Sequence, residues 1–192
     1  MKLRHALLAL LITTGLSAPA YADHYVIDTK NEHAFIQFKI SHLGYSWVLG
    51  RFDNFKGDFD YDPKHPDASK VAVTIDASSI DTNLALRDKH LRSDEFFDVA
   101  RYPTARFVST SFTDEGHGKA VLKGRLTLHG VTRPIAIDVL KIGQGPDPWG
   151  DYRAGFQGTT TLALKDYGID FDLGPTARTA DLFFSIEGVR QK

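Results

Sequence analysis

The chain has 192 residues, no cysteine, and 23 basic side chains against 24 acidic ones. That length fits one domain whose core is large enough to hold without disulfides. The balanced charge argues against nucleic acid as a partner, because phosphate binding calls for a basic face.

Residues 1–22 read as a cleaved secretory signal peptide. Met1, Lys2, Arg4 and His5 make a basic start, Ala6 to Ile12 an apolar run, and Ala20-Tyr21-Ala22 a small-x-small cleavage site. The apolar run is shorter than the roughly 20 residues a membrane span needs. The expectation is a single soluble domain over 23–192, exported and, in a Gram-negative cell, periplasmic. No later run is long and apolar enough to cross a bilayer.

The rest reads as β-strand almost throughout. Tyr25 to Asp28 makes a short strand, and Ala34, Ile36, Phe38 and Ile40 alternate with Phe35, Gln37 and Lys39 as a half-buried one. A turn over 42–46 leads to strands at 47–52 and 55–61, where Gly50 and Gly57 suggest bends or bulges. Val71, Val73 and Ile75 share a face of the next strand. A helical insertion follows around residues 83–98, with Asp81 or Thr82 as its N-cap and Tyr102-Pro103 as its end. Strand returns over 105–112. Ala120, Leu122, Gly124, Leu126 and Leu128 then share a face, and His129-Gly130 opens a turn. Ile135, Ile137 and Val139 alternate next, before a Gly/Pro-rich loop at 143–151 around Trp149. Ala154, Phe156, Gly158, Thr160, Leu162 and Leu164 form one face of a long strand, and Leu182, Phe184 and Ile186 lie in the last.

Eight or nine strands in succession, with short turns and no βαβ rhythm, predict an all-β fold. Closure into an eight-stranded antiparallel up-and-down barrel removes exposed sheet edges. A sandwich is the other arrangement such strands can take. A barrel of this size holds either its own side chains or one small ligand. Its expected inward set is Ile36, Phe38, Val73, Leu122, Gly124, Leu126, Ile137, Phe156, Gly158, Thr160 and Phe184, which carries no charge. The small members leave volume unless Phe156 and Phe184 fill it. A hydrocarbon tail suits such a lining. At about 0.8 kcal/mol per buried CH₂, about twenty carbons give roughly 16 kcal/mol gross, against an association cost of about 4–15 kcal/mol.

The helical stretch supplies a polar element. At about 100° per residue, Asn83, Arg87, His90 and Asp94 fall on one stripe, flanked by Leu84, Leu86 and Leu91. A polar stripe bracketed by leucines fits the rim of a cavity, where with His42 it would meet a ligand headgroup. The plainer alternative is an Arg87–Asp94 ion pair beside a packed histidine. A hydrolase built on His90, Ser93 and Asp94 is disfavoured, since Ser93 points away on a helix and no Gly-x-Ser-x-Gly occurs. A metal site would need His33, His42 and His90 to converge without any H-x-H or H-E-x-x-H spacing. No catalytic and no metal-ligating residue is therefore assigned. A stress-related interaction module using the barrel only as a scaffold, a homodimer and transient membrane contact remain compatible with the sequence.

Several strings resemble the YceI-like family of exported polyisoprenoid-binding proteins. They are His42-Leu43-Gly44-Tyr45-Ser46-Trp47, Gly50-Arg51-Phe52, Phe55-Lys56-Gly57, Asp81-Thr82-Asn83, and Arg87-Asp88-Lys89-His90-Leu91-Arg92-Ser93. Tyr102 to Phe107, Leu126 to Thr132, Gly143-Gln144-Gly145, Asp147-Pro148-Trp149-Gly150, Ala154-Gly155-Phe156 and Asp172-Leu173-Gly174-Pro175 follow in order. The resemblance implies an extended lipocalin-like barrel. It also implies an isoprenoid-tailed or fatty amphiphile in the pore, such as a polyprenyl or ubiquinone-type lipid. No cofactor is required on this reading, although an isoprenoid or quinone lipid would co-purify. The chain departs from the family pattern at Asn83-Leu84, usually Asn-His, and at Leu128-His129-Gly130, usually Leu-Asn-Gly.

Overall fold

Alternation of apolar and polar residues governs the chain, which in this computed structural model is described over residues 22–31, 33–171 and 174–192. The expected signal peptide, up to residue 21, lies outside the described residues. The strands are β1 (Asp23–Ile27), β2 (Phe35–His42), β3 (Ser46–Phe52), β4 (Phe55–Tyr61), β5 (Lys70–Asp76) and β6 (Ile80–Asp81). After helix α1 (Ala85–Leu91) come β7 (Thr104–Gly116), β8 (Lys119–Leu128), β9 (Val131–Pro146), β10 (Tyr152–Ala163) and β11 (Thr179–Arg190).

All the pairings are antiparallel, and the ring β1-β4-β5-β7-β8-β9-β10-β11 closes through β1–β11. The barrel expected from the sequence is thus present. Some of its eight staves are broken. β1 and β2 lie end to end along the same edge of β11, β1 against 188–190 and β2 against 180–185. β3 and β4 continue this split, pairing with β2 and β1 respectively. At the next stave, β5 pairs with β4 and the two-residue β6 with β3. β6 and the turn before it would leave bare carbonyls on the side away from β3. Arg92 covers them, its Nε donating to the Ser78 carbonyl and its Nη2 to that of Ile80, both at 2.6 Å. A free strand edge is thereby capped by a side chain from the helical insertion.

Three local expectations are corrected. Pairing runs unbroken through Gly50 and Gly57, and the register shifts fall instead at Ser109/Ser111, Asp114/Gly116 and Gly155/Phe156. The 143–151 loop shrinks to a short turn, because β9 extends to Pro146. The helix has seven residues rather than spanning the whole insertion, and Leu84, not Asp81 or Thr82, stands at its N-cap.

One end of the barrel is stoppered. Tyr25 stacks on Phe59 at 4.9 Å, and Phe156 meets Phe59 and Tyr61 edge-on at 5.6 and 5.1 Å. Gly188 permits this packing, since a Cβ there would lie 2.5 Å from the Phe59 ring. At the same end Arg153 Nη1 donates to Asp28 Oδ2 at 2.7 Å and to Glu187 Oε1 at 2.6 Å, while its Nε donates to Asp147 Oδ2 at 2.6 Å. Asp147 Oδ1 also accepts from the backbone N–H of Trp149 and Asp151, so one guanidinium ties the 147–151 turn to β11 and the loop after β1.

Burial pushes the Asp28 carboxyl up, but hydrogen bonds from Arg153, Asn31 and His33 outweigh it and hold the group at about 2, below its usual 3.8. Because the folded value is depressed, this stabilisation is present above about pH 4 and is lost as the pH falls toward 2. Arg153→Met should destabilise the protein by about 3–5 kcal/mol at pH 7, as carboxylates at a nearly buried site lose their partner. It should also flatten the loss of stability between about pH 4 and 2. Urea unfolding across that range measures both.

Candidate ligand cavity

Beyond the aromatic floor the barrel is not filled. Val71, Val73, Ile135, Val139, Leu182 and Phe184 line the interior but are only partly buried, because they face an open lumen. Valine, isoleucine and glycine project too little from the wall to meet across it. The lumen is a cavity of about 500 Å³, within the roughly 300–1,000 Å³ range of small-molecule pockets. It runs from Phe59, Tyr61 and Phe156 at the floor, past Phe107, Leu122, Leu126 and Ile137, to Leu164 and Ile169. Its lining is almost wholly apolar until the mouth, where His42, Leu43, Arg87 and His90 stand.

Two glycines help keep the lumen open. A Cβ on Gly50 would lie 2.2 Å from Phe38 Cζ, and one on Gly124 would lie 2.3 Å from Phe107 Cζ. Each ring rests against the wall of a neighbouring strand in the space a side chain would have taken. Gly124, expected in the lining, is therefore covered by Phe107 and does not reach the lumen. Thr160 is also corrected. The β9–β10 ladder stops at Thr159↔Asp138, and just beyond it Thr160 Oγ1 donates to the Ala136 carbonyl at 2.7 Å. Its hydroxyl extends the seam, and it is not among the lining residues. Ile36, Phe38, Val73, Leu122, Leu126, Ile137, Phe156, Gly158 and Phe184 all face the cavity.

The helix is fastened to the mouth by a clamp. Thr82 donates from its backbone N–H and its hydroxyl to Asp88 Oδ1, at 2.9 and 2.5 Å. Arg87 donates from Nε to Thr82 Oγ1 at 2.7 Å and from Nη2 to the Thr82 carbonyl at 2.6 Å. Thr82 and Asp88 are both buried, so Asp88 reaches back to orient the helix, which has no side-chain N-cap. Arg87 thereby comes to the cavity wall bonded to Thr82, not to Asp94. His90 packs edge-on against Phe96 and Phe171, at 4.9 and 5.5 Å, and its Nε2 hydrogen-bonds Glu95.

Of the expected rim set, His42, Arg87 and His90 meet at the mouth. Asn83 and Asp94 do not line the cavity, because the helix begins at Ala85 and ends at Leu91, leaving both off its face. Asn83 instead adopts φ 63°, its N–H donating to Asp81 Oδ1 at 2.8 Å. Of the flanking leucines, Leu91 faces the lumen, while Leu84 and Leu86 are exposed. Leu43, Phe97 and Phe107 were not anticipated in the lining. The period-two pattern would have placed Phe107 opposite Arg106, but Leu43 lies in a turn and Phe97 in an irregular stretch, where no periodicity signals direction.

Among the described residues the other chemistries find no assembled site. Ser93 Oγ donates to the His90 carbonyl at 2.7 Å rather than to its ring. His33 lies beside Asp28 at the stoppered end, 3.3 Å away, far along the barrel from His42 and His90. Asp28, His33 and Glu187 bring ligand-type atoms within 4.8 Å of one another, but the Arg153 guanidinium already bonds both carboxylates.

Asp88→Ala should cost about 1–3 kcal/mol in urea unfolding, since it leaves the buried Thr82 N–H without an acceptor. Thr82→Val, which keeps that N–H bond, should cost less.

A family model described as YceI-like domain matches residues 25–187. The UPF0312 protein Shewana3_1179 of Shewanella sp. (strain ANA-3) is 53% identical over 191 residues, 98% of this chain and 100% of that protein. Among solved structures, the YCEI protein of Campylobacter jejuni is 27% identical with a TM-score of 0.72, covering 80% of this chain and 91% of that one. A polyisoprenoid binding domain from Saccharophagus degradans, implicated in plant cell wall breakdown, shares the fold at 18% identity, with a TM-score of 0.63 over 87% of this chain and 98% of that one.

Proposed function

The chain belongs to the YceI-like family, and from that premise we propose that it binds and carries an isoprenoid-tailed or other long-chain amphiphilic lipid, such as one of the polyprenyl or ubiquinone type. The observation that carries this reading is the apolar lumen of about 500 Å³, closed by aromatic rings at one end and polar at the other. Such a shape sorts an amphiphile by itself: tail inward, headgroup at the mouth. With about 0.8 kcal/mol per buried CH₂, the tail supplies the affinity. Arg87, with two of its N–H donors held by Thr82, and the rings of His42 and His90 orient the headgroup. The Saccharophagus degradans domain, described as polyisoprenoid binding, is a binder of the same type on the same fold.

On this reading the protein works as a binder and not as an enzyme, and it acts in the periplasm after removal of residues 1–22. Among the described residues no helix is long and apolar enough to cross a membrane, in keeping with a carrier that moves between surfaces.

Native mass spectrometry of protein purified from its own periplasm tests the reading. The wild type should carry one lipid per chain, and solvent extraction should release a prenyl or acyl compound. Val73→Trp, which places an indole in the lumen, should fold with an unchanged far-ultraviolet spectrum and lack the adduct. A wild type that flies bare, or a Val73→Trp protein that keeps as much lipid, contradicts the proposal.

A further inference from the structure

The apolar surface does not stop at the mouth. Leu43 lines the cavity and is also 55% exposed, so lumen and exterior are joined through one side chain. Around it, on the tip and outer face of the β2–β3 hairpin, stand Tyr45 at 88% exposure, Trp47 and Leu49. Leu86, 76% exposed, projects from α1 at the same end.

Leu43 has φ 54°, in the left-handed region that suits glycine or asparagine and is an outlier for a bulky residue. Backbone strain of this kind gathers at functional sites. From Ser41 to Gly50 there is no Lys, Arg, Asp or Glu, in a chain that is 24% charged. That segment can leave water without desolvating an ion. Beside it, Lys39 places its ammonium 4.7 Å over the Trp47 ring and 3.6 Å from Asp181. An amphipathic aromatic next to a long cationic side chain is the pairing found where protein meets a bilayer interface.

We infer that the mouth docks on a lipid bilayer of uncharged net headgroup, with the Leu43–Leu49 hairpin tip and Leu86 of α1 entering the interface on either side of the opening. This rests on the carrier reading, and it supplies the step that reading lacks. A tail of about twenty carbons leaving through water would expose roughly 16 kcal/mol of hydrocarbon. A mouth seated in a bilayer lets the tail pass from lumen to lipid without that exposure. Because the entering segment has no fixed charge, contact should depend little on anionic lipid or salt.

The chain's two tryptophans make the test direct, because Trp47 is at the mouth and Trp149, 80% exposed, is in the turn at the stoppered end. The probe is a phosphatidylcholine vesicle with brominated acyl chains. Trp47 emission, read in Trp149→Phe, should be quenched equally at 0.05 and 0.5 M NaCl. Trp149 emission, read in Trp47→Tyr, should not change. The double variant Leu49→Asp/Leu86→Asp, altered only at exposed positions outside the lumen, should lose at least about tenfold in vesicle partitioning, as two apolar contacts are removed. It should keep its lipid in native mass spectrometry.

Unquenched Trp47 in lipid-loaded protein overturns the docking and leaves the carrier reading intact. Quenching of Trp149 instead overturns it by placing the other end on the membrane. A wild-type dimer that the double variant splits, with vesicles without effect, assigns the patch to a second copy and also overturns it. Docking by protein that never carries lipid would sink the carrier reading alone.

Discussion

Wall closure without interior filling is the constraint on which this molecule depends. In most domains of this size, side chains meeting at the centre supply cohesion. Here the middle of the barrel has a lining and no centre, so the backbone ladder must carry more of the fold. The broken staves show how tightly that requirement is met. Where β1 leaves β11, β2 takes over, and where β6 has no further strand, Arg92 supplies the missing donors. At the seam between β9 and β10 the Thr160 hydroxyl does the same for one carbonyl.

The two ends then take opposite roles. The floor is made of stacked rings, backed at that end of the barrel by a guanidinium shared among three carboxylates. The mouth has a short helix held by Thr82 and Asp88, a few polar groups and several exposed apolar ones. A lumen closed at one end and open at the other gives an amphiphile a single orientation. The glycines at 50 and 124 belong to this logic. They are not turn residues but seats for Phe38 and Phe107, which are thereby kept to the wall.

Much of this was legible in the sequence. Alternation along 120–128 and 154–162 gave the strands and the inward set except Gly124 and Thr160, and the lack of βαβ spacing gave the barrel. What failed did so for identifiable reasons. Gly50 and Gly57 look like bulge signals because a sequence does not show what lies against them, the Phe38 ring at Gly50 and the Ala72 carbonyl at Gly57. Winding the insertion as one helix assumed that periodicity continues past Leu91, whereas the chain turns there and carries Asp94 off the stripe. The Arg153 network joins residues as far as 125 positions apart, beyond the reach of any local pattern. Of the two departures from the family pattern, Leu84 stands in extended backbone at φ −149°, and His129 in the left-handed region at φ 49°. At the second, His129 takes the place where asparagine is usual, and its Nδ1 lies 3.0 Å from the Tyr167 carbonyl, within hydrogen-bonding distance.

The hollow is the claim from which the rest follows, and it can be examined without knowing the ligand. Protein that has been unfolded, stripped of lipid and refolded should crystallise with the lumen vacant, and xenon under pressure enters apolar space of this type. Xenon density among Phe107, Leu126 and Ile137 is the predicted result. Crystals that take up no xenon there, with the inward side chains meeting across the barrel, would contradict the account.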